Sequence, residues 1–389
     1  MTALSLPPLS LYIHIPWCVR KCPYCDFNSH GLNAHGRGNQ LPEREYVAAL
    51  LADLEQDLPL AWGRPVSSIF FGGGTPSLFS AAAIGDILAG VGARLPLHPG
   101  LEVTLETNPG TAEHDRFEGY MAAGVNRLSF GVQSFDDGCL QRLGRIHDSA
   151  QAEHAVQLAQ AAGFTDINLD LMYALPQQDL AMAARDVERA LALQPTHLSH
   201  YQLTLEPNTA FAARPPTGIP DEDSAFDMQL HCQGLIAAAG FAQYEVSAYA
   251  REGRRSRHNL NYWNFGDYLG IGAGAHGKLT DPASGRILRR FKHKHPSRYL
   301  ASAASAGRIG GDEWIDAAQR PFEFMLNALR LVDGFSLRDF QARTGLDAAA
   351  IAAPLATATT NGWLEIDGTH VRPTESGRRF TNDVIALFL

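Results

Sequence analysis

The sequence predicts an α/β protein: a parallel sheet built from the first two-thirds of the chain, closed by a smaller C-terminal helical domain. Three observations carry this. Strand-like and helix-like segments alternate through six units between Leu9 and Glu206, as successive strand–helix crossovers do. Runs such as Ser68-Ile69-Phe70-Phe71 stay apolar without alternation, which suits strands covered on both faces. From Arg320 the texture changes to short helices and a hairpin.

Leu9–Pro16 is the first strand, followed by a Gly- and Asn-rich loop. Pro42–Leu60 repeats apolar residues at helical spacing, with proline in the first turn, where no N–H is needed. Val66–Phe71 is a strand running into Gly72-Gly73-Gly74, and Ala81–Leu95 the helix after it. Leu101–Glu106 is the third strand, with the helix Ala112–Ala123 closed by Gly124. Arg127–Gln133, Ile167–Leu175 and His197–Glu206 are the remaining strands. The helices Gln151–Ala162, stopped by Gly163, and Leu180–Leu193, stopped before Pro195, lie between them. An open sheet and a barrel both satisfy this order, and both place a ligand at the carboxyl ends of the strands.

Arg214–Asp223 reads as a boundary loop, Ala225–Ala239 as a helix and Gln243–Ala250 as a strand. His258–Lys278 is rich in glycine and aromatics, and Arg286–Arg298 is basic. Helices at Phe322–Leu331, Ser336–Thr344 and Ala348–Asn361 precede a hairpin of Trp363–Ile366 and His370–Arg372 about Asp367-Gly368. A final helix covers Glu375–Leu389, and the whole looks like a winged helix. The expected division is a core barrel at 1–213, an extension at 214–319 and a C-terminal domain at 320–389.

A formal net charge of −9 over 389 residues argues against a general nucleic-acid binder. No apolar run is long enough to span a bilayer, and Met1–Ser10 lacks the features of a signal peptide. A cytoplasmic monomer or homodimer is expected. Three of the five cysteines crowd into one stretch, which points to metal and not to a disulfide scaffold. Cys139 and Cys232 stand apart in helical segments and read as small buried apolar residues.

The crowded stretch is Cys18-Val19-Arg20-Lys21-Cys22-Pro23-Tyr24-Cys25, directly after the first strand. A four-iron cubane normally takes four thiolates. Three on one loop leave one iron open to a small chelator bearing an amine and a carboxylate, and S-adenosylmethionine (SAM) carries both. Zinc would need a fourth ligand, with His14, His30 or His35 as candidates. Zinc loops usually pair two ligands in one turn with two in a distant one, so the spacing opposes that reading.

Cys-x₃-Cys-x₂-Cys with an aromatic before the last cysteine resembles the radical SAM superfamily. The flanking Tyr12-Ile13-His14-Ile15-Pro16-Trp17 resembles its oxygen-independent coproporphyrinogen III oxidase-like family. So do Gly72-Gly73-Gly74-Thr75-Pro76, Glu106-Thr107-Asn108-Pro109, Gly131-Val132-Gln133-Ser134-Phe135 and Asn168-Leu169-Asp170-Leu171-Met172. The resemblance implies a partial (βα)₆ barrel, a [4Fe–4S] cluster on Cys18, Cys22 and Cys25, and bound SAM. It places Gly72, Gly73, Gly74 and Thr75 at the methionine end of SAM, with Glu106, Gln133, Arg145 and Asp170 around it. Tyr12 and Tyr24 lie beside the cofactor in the family pattern, and Thr204 and His276 are looser carry-overs.

Within that family two branches compete. The oxidase pattern has a further cysteine two residues after the third, where this chain has Phe27 in Cys25-Asp26-Phe27, and a longer N-terminal arm. The heme chaperone branch carries His-Asn-x-x-Tyr, present here as His258-Asn259-Leu260-Asn261-Tyr262. That resemblance implies heme contacts at His258, Asn259 and Tyr262, and apo-hemoprotein acceptors, expected in the respiratory chain. Trp263, Phe265 and Tyr268 are candidates to cover a macrocycle or to fill a core. The run Arg289-Arg290-Phe291-Lys292-His293-Lys294-His295 reads as a solvated loop, with heme propionates or a membrane surface as other partners. The alternative function is oxidative decarboxylation of coproporphyrinogen III. The C-terminal module is read as a lid or docking element and not as a DNA reader.

Overall fold

The structure, a computed structural model, describes residues 4–32, 41–61, 63–111 and 114–389. His35, named as a metal-ligand candidate, and Ala112, the expected start of a helix, lie outside them.

Among the described residues twelve strands form one sheet. In chain order they are β1 (Leu9–Ile15), β2 (Val66–Gly73), β3 (Leu97–Thr107), β4 (Arg127–Gln133), β5 (Ile167–Tyr173), β6 (His197–Gln202), β7 (Ala242–Glu245), β8 (Ala248–Ala250), β9 (Asp267–Ile271), β10 (His276–Asp281), β11 (Arg286–Lys292) and β12 (Ile309–Ile315). The spatial order is β12-β11-β10-β9-β1-β2-β3-β4-β5-β6-β8-β7. Its two ends do not pair, so the barrel is partial. The run from β9 through β6 is parallel throughout, and antiparallel strands flank it on both sides. The six predicted strands form its body. Helices Glu43–Ala61, Ala81–Gly92, His114–Ala123, Ser149–Ala161 and Leu180–Ala192 follow the first five. Their buried side chains join Leu11, Ile13, Ile69, Phe71, Leu128, Phe130 and Leu169 in one core.

Four readings change. Gln243–Ala250 is not one strand but two, β7 and β8, folded antiparallel on each other. His258 lies in a helix, Arg257–Trp263, whose N-terminus is capped by the Ser256 hydroxyl. The glycine-rich stretch after it contributes β9 to the sheet beside β1. There Gly270 is required, because a Cβ would sit 1.9 Å from the His276 carbonyl oxygen. The final helix is two short ones, Glu375–Arg379 and Thr381–Ala386, broken at Phe380.

The fourth change concerns the basic run. Arg286–Lys292 is a strand inside the sheet and not a solvated loop. Asp53 and Asp57 stand one helical turn apart on Glu43–Ala61 and meet it. Lys292 Nζ bonds Asp57 at 2.6 Å and also pairs with Asp53, Arg290 reaches Asp57 at 2.8 Å, and Arg308 Nε reaches Asp53 at 2.6 Å. Asp53 further accepts from the Tyr299 hydroxyl at 2.8 Å and the Gly272 N–H at 3.2 Å. These ions are buried but each is partnered, which is the condition for holding charge in a core.

The C-terminal part has its own core of Phe324, Phe335, Phe340, Ile351, Leu364, Val371 and Val384, joined by Phe265 and Ile287 from the extension. The predicted hairpin forms as Leu364–Asp367 with His370–Pro373, and Phe335–Ser336 adds a third strand. Cys139 and Cys232 are buried in helices, as expected. Among the described residues no helix is long and apolar enough to cross a membrane.

Replacing Asp53 by alanine strands Lys292 and Arg308 beside one remaining carboxylate. Urea titration should show a loss of about 3–5 kcal/mol, the usual cost of breaking a buried ion pair. A loss below about 1 kcal/mol would contradict the importance given to this network.

Candidate cofactor and ligand site

β1 and β2 keep pairing after the sheet ends. The Gly74 N–H donates to the Ile15 carbonyl at 2.8 Å and the Thr75 N–H to that of Trp17 at 2.7 Å. The backbones approach so closely that a Cβ on Gly74 would lie 2.4 Å from the Trp17 carbonyl oxygen. Gly73 has φ +116, and a Cβ there would strike the His14 ring at 2.7 Å, so both positions call for glycine. Trp17–Cys18 then pairs with His30–Gly31 and closes the base of the cysteine loop. The far side is held by Arg20, which donates to the Gly144 carbonyl at 2.6 Å, and by the Pro23 carbonyl, which accepts from the Phe211 N–H at 3.0 Å.

Cys18, Cys22 and Cys25 line one cavity at the carboxyl ends of the parallel strands. Tyr24, Gly73, Gly74, Thr75, Glu106, Gln133, Arg145 and Asp170 share it. Among the described residues no three His, Cys, Asp or Glu side chains gather tightly enough to hold a single ion. Three thiols from one loop facing a single cavity suit ligands to separate irons of a cubane. His14 is committed elsewhere: its ring nitrogens bond the Tyr12 hydroxyl at 3.0 Å and the Asn28 carbonyl at 2.8 Å.

The polar wall is prepared for a ligand. Arg145 gives Nη2 to the Gly131 carbonyl at 2.6 Å and points Nη1 at Cys22 Sγ, 3.6 Å away. Its Nε is buried without a partner, a cost that an incoming acceptor would relieve. Glu106 accepts from the Gly73 N–H at 3.3 Å. Burial, with the nearby charge of Asp170, pushes its pKa up to about 8. Asp170 is fixed by Asn168 at 2.8 Å and Ser129 at 3.3 Å, and burial raises its pKa too. Gln133 takes φ +71 and accepts from the Tyr201 hydroxyl at 2.9 Å. Two buried carboxyls near Arg145, whose Nε has no partner, suit a zwitterion that also carries hydroxyl groups. The donor set and the orphaned Nε thus fit a cluster with SAM chelated to it.

A second cavity, of about 500 Å³, adjoins the first and shares Phe27, Gly73 and Glu106 with it. Tyr12, Tyr262, His276, Trp263, Phe265 and Tyr268 line it, with Lys278, Arg289 and Lys294. Tyr12 and His276, expected near SAM, face this cavity. Gly72 lies behind the wall, where a Cβ would press on Tyr12 and Phe70 at 3.0 Å. Thr204 is exposed and bonded to Glu206 at 2.8 Å, away from both cavities. Asn259 and His258 line neither. Phe27, 59% exposed, and Tyr201 are wall residues that sequence reasoning did not assign. Tyr201 lies one residue from the end of β6, so the strand-end rule alone would have found it.

The chain is similar to known proteins along its whole length. The radical SAM superfamily model matches residues 12–190, and the HemN C-terminal domain model matches 315–380. The chain is 50% identical to the heme chaperone HemW of Escherichia coli, with 99% of both chains covered. It is 40% identical to the mouse mitochondrial radical S-adenosyl methionine domain-containing protein 1, over 77% of this chain and 67% of that one. The coproporphyrinogen III oxidase HemN of Escherichia coli has the same fold, with a TM-score of 0.81 at 22% identity, covering 98% of this chain and 90% of the other.

Two outcomes check the site. Gly74→Ala should displace Trp17 and with it Cys18, so reconstituted protein should lose most of its iron, whereas Gly234→Ala, with nothing within 4 Å, should keep it. Equal iron in both would contradict the close-approach argument. Glu106 is raised above its ordinary 4.5 to about 8, so folding favours its protonated form and its contribution to stability is lost as pH rises through that interval. In ligand-free protein, the stability advantage of Glu106→Gln over wild type should grow from about pH 4.5 to 8 and then level, as read from Tm. From the cysteine loop to the full-length identity with HemW, the findings converge, and the chain belongs to the radical SAM superfamily and, within it, to the family of the relatives named heme chaperone HemW.

Proposed function

We propose that this protein is a SAM-binding [4Fe–4S] heme chaperone, acting in the cytoplasm, that takes up heme and passes it to apo-hemoproteins of the respiratory chain. The observation that carries the reading is the second cavity, set wall to wall with the cysteine cavity. Its volume is that of a typical ligand pocket, and Tyr262, Trp263, Phe265 and Tyr268 offer flat apolar cover to a macrocycle. Arg289, paired with Glu323, and Lys294 place cations in its wall. They suit the carboxylates that a heme carries at its edge. The names of the full-length relatives point the same way.

In the neighbouring cavity Cys18, Cys22 and Cys25 would hold the cluster. When bound, it supplies an open iron and an electron able to cleave the sulfonium C–S bond of SAM. Gly73 and Gly74 would let the backbone come close to the methionine end, Arg145 would meet its carboxylate, and Glu106 and Asp170 would accept from its amino N–H groups or its ribose hydroxyls. Phe27, where the oxidase pattern has a further cysteine, stands between the two cavities.

Anaerobically reconstituted protein should bind heme stoichiometrically and activate an apo-hemoprotein of the respiratory chain. Arg289→Ala should weaken heme binding by about tenfold, the loss of one charge-assisted contact. SAM-dependent conversion of coproporphyrinogen III to protoporphyrinogen IX, without heme uptake, would overturn the proposal in favour of the oxidase.

A further inference from the structure

The wall of the second cavity carries imidazoles and phenols, groups that ligate heme iron. The fold has already engaged most of them. His14 uses both ring nitrogens, one on the Tyr12 hydroxyl at 3.0 Å and one on the Asn28 carbonyl at 2.8 Å. The Tyr262 hydroxyl lies 2.9 Å from Nε2 of the buried His258. Burial raises the pKa of Tyr12, Tyr262 and Tyr268, so each keeps its proton, whereas iron takes tyrosine as the phenolate.

His276 differs from these. It begins β10, stands exposed at the rim of the cavity, and among the described residues neither ring nitrogen has a hydrogen-bond partner. Partial burial and the cations of Lys294 and Arg289 lower its pKa, so at neutral pH the imidazole is unprotonated, the form that binds a metal. Stacking holds the ring. It lies on Phe291, its cross-strand neighbour on β11, with centroids 5.6 Å apart and planes 26° from parallel. Phe291 rests in turn against Gly310 and Gly311 of β12, where a Cβ would come within 2.8 and 2.5 Å of its ring. His276 shares its face of the sheet with Lys278 and Arg289, because alternate residues of β10 and β11 point the same way. The imidazole therefore faces the same space as the cations offered to the heme carboxylates.

We propose that His276 supplies a nitrogen ligand to the iron of heme held in the second cavity, and that Phe291, seated on Gly310-Gly311, is the positioning residue that holds its ring. The assignment rests on the heme reading above. A ring fixed by stacking and not by hydrogen bonds keeps both nitrogens available. Histidines that hold a metal permanently usually pass their second N–H to a carboxylate or carbonyl, which strengthens the bond. His276 has no such partner among the described residues, so its hold on iron is weak. A weak ligand at the rim suits a cargo that must leave.

With its histidines isotopically labelled, the protein loaded with ferric heme should show a histidine nitrogen bound to iron in its electron–nuclear double resonance spectrum. His276→Ala, a change at an exposed position that should keep the iron–sulfur content, should lose this coupling and release heme about tenfold faster, the scale on which changes around a metal act. Unlabelled imidazole should restore heme retention without the labelled coupling. Tyr12→Phe and Tyr262→Phe should keep the coupling. Phe291→Ala should alter it and speed heme loss, and Phe291→Tyr, which keeps the ring, should restore both. A coupling that survives His276→Ala, or is absent from heme-loaded wild type, overturns the ligand assignment while leaving heme binding intact. Heme loss in His276→Ala that imidazole does not reverse also overturns it, since the side chain would then act through packing. A Phe291→Ala protein indistinguishable from wild type overturns the positioning role. Wild-type protein that takes up no heme removes the heme reading itself and the assignment with it.

Discussion

The site depends on two backbone hydrogen bonds that carry the pairing of β1 and β2 beyond the sheet, Gly74 to Ile15 and Thr75 to Trp17. They bring the glycine turn against the chain just before Cys18, so the cysteine loop starts from a fixed point. The approach tolerates no side chain on Gly74. Glu106 then reads the Gly73 N–H from the next strand, and Arg145 reaches Cys22 from beyond β4. Opposite the cysteine loop the walls of the cavity are built on buried parallel strands, so that part of its geometry is inherited from the core.

The second cavity has a different foundation. It lies where β9, β10 and β11 extend the parallel sheet and the C-terminal core packs against them. Two buried ion networks fix that extension. Asp53 and Asp57 tie β11 and Arg308 to the first helix, and Asp267 holds Arg64 at 2.8 Å and Lys278 at 2.9 Å. Buried charges specify register sharply, because a slipped strand would leave them unpartnered. The result is a wall of aromatics and cations beside the cysteine cavity, with Phe27 and Glu106 common to both.

Much of this is legible in the sequence, because its signals are local. The six strands and their helices follow from apolar runs, caps and glycine stops. The cysteine loop follows from its spacing, and Glu106, Gln133 and Asp170 from the family resemblance; Glu106 and Gln133 do stand at strand ends, whereas Asp170 lies in the middle of β5. The extension is harder to read. β9 joins the parallel sheet beside β1 across more than two hundred residues of chain, a pairing that no local pattern encodes. Arg290 and Lys292 look solvated until Asp53 and Asp57 come to meet them from the first helix. His258 reads as a ligand on its own, but the fold buries it behind Tyr262. Phe27 is noticed in the sequence only as a missing cysteine, and its position between two cavities is a property of the folded loop.

The central claim is that three thiolates leave one iron of a cubane open to SAM, next to a cavity for a second ligand. The most direct test is the electron paramagnetic resonance spectrum of the reduced, anaerobically reconstituted protein, recorded with and without SAM. The account predicts the signal of a [4Fe–4S] cluster whose g-values shift when SAM is added, as an open iron gains an amine and a carboxylate ligand. A protein that carries zinc, or a cluster whose signal SAM leaves unchanged, would contradict it.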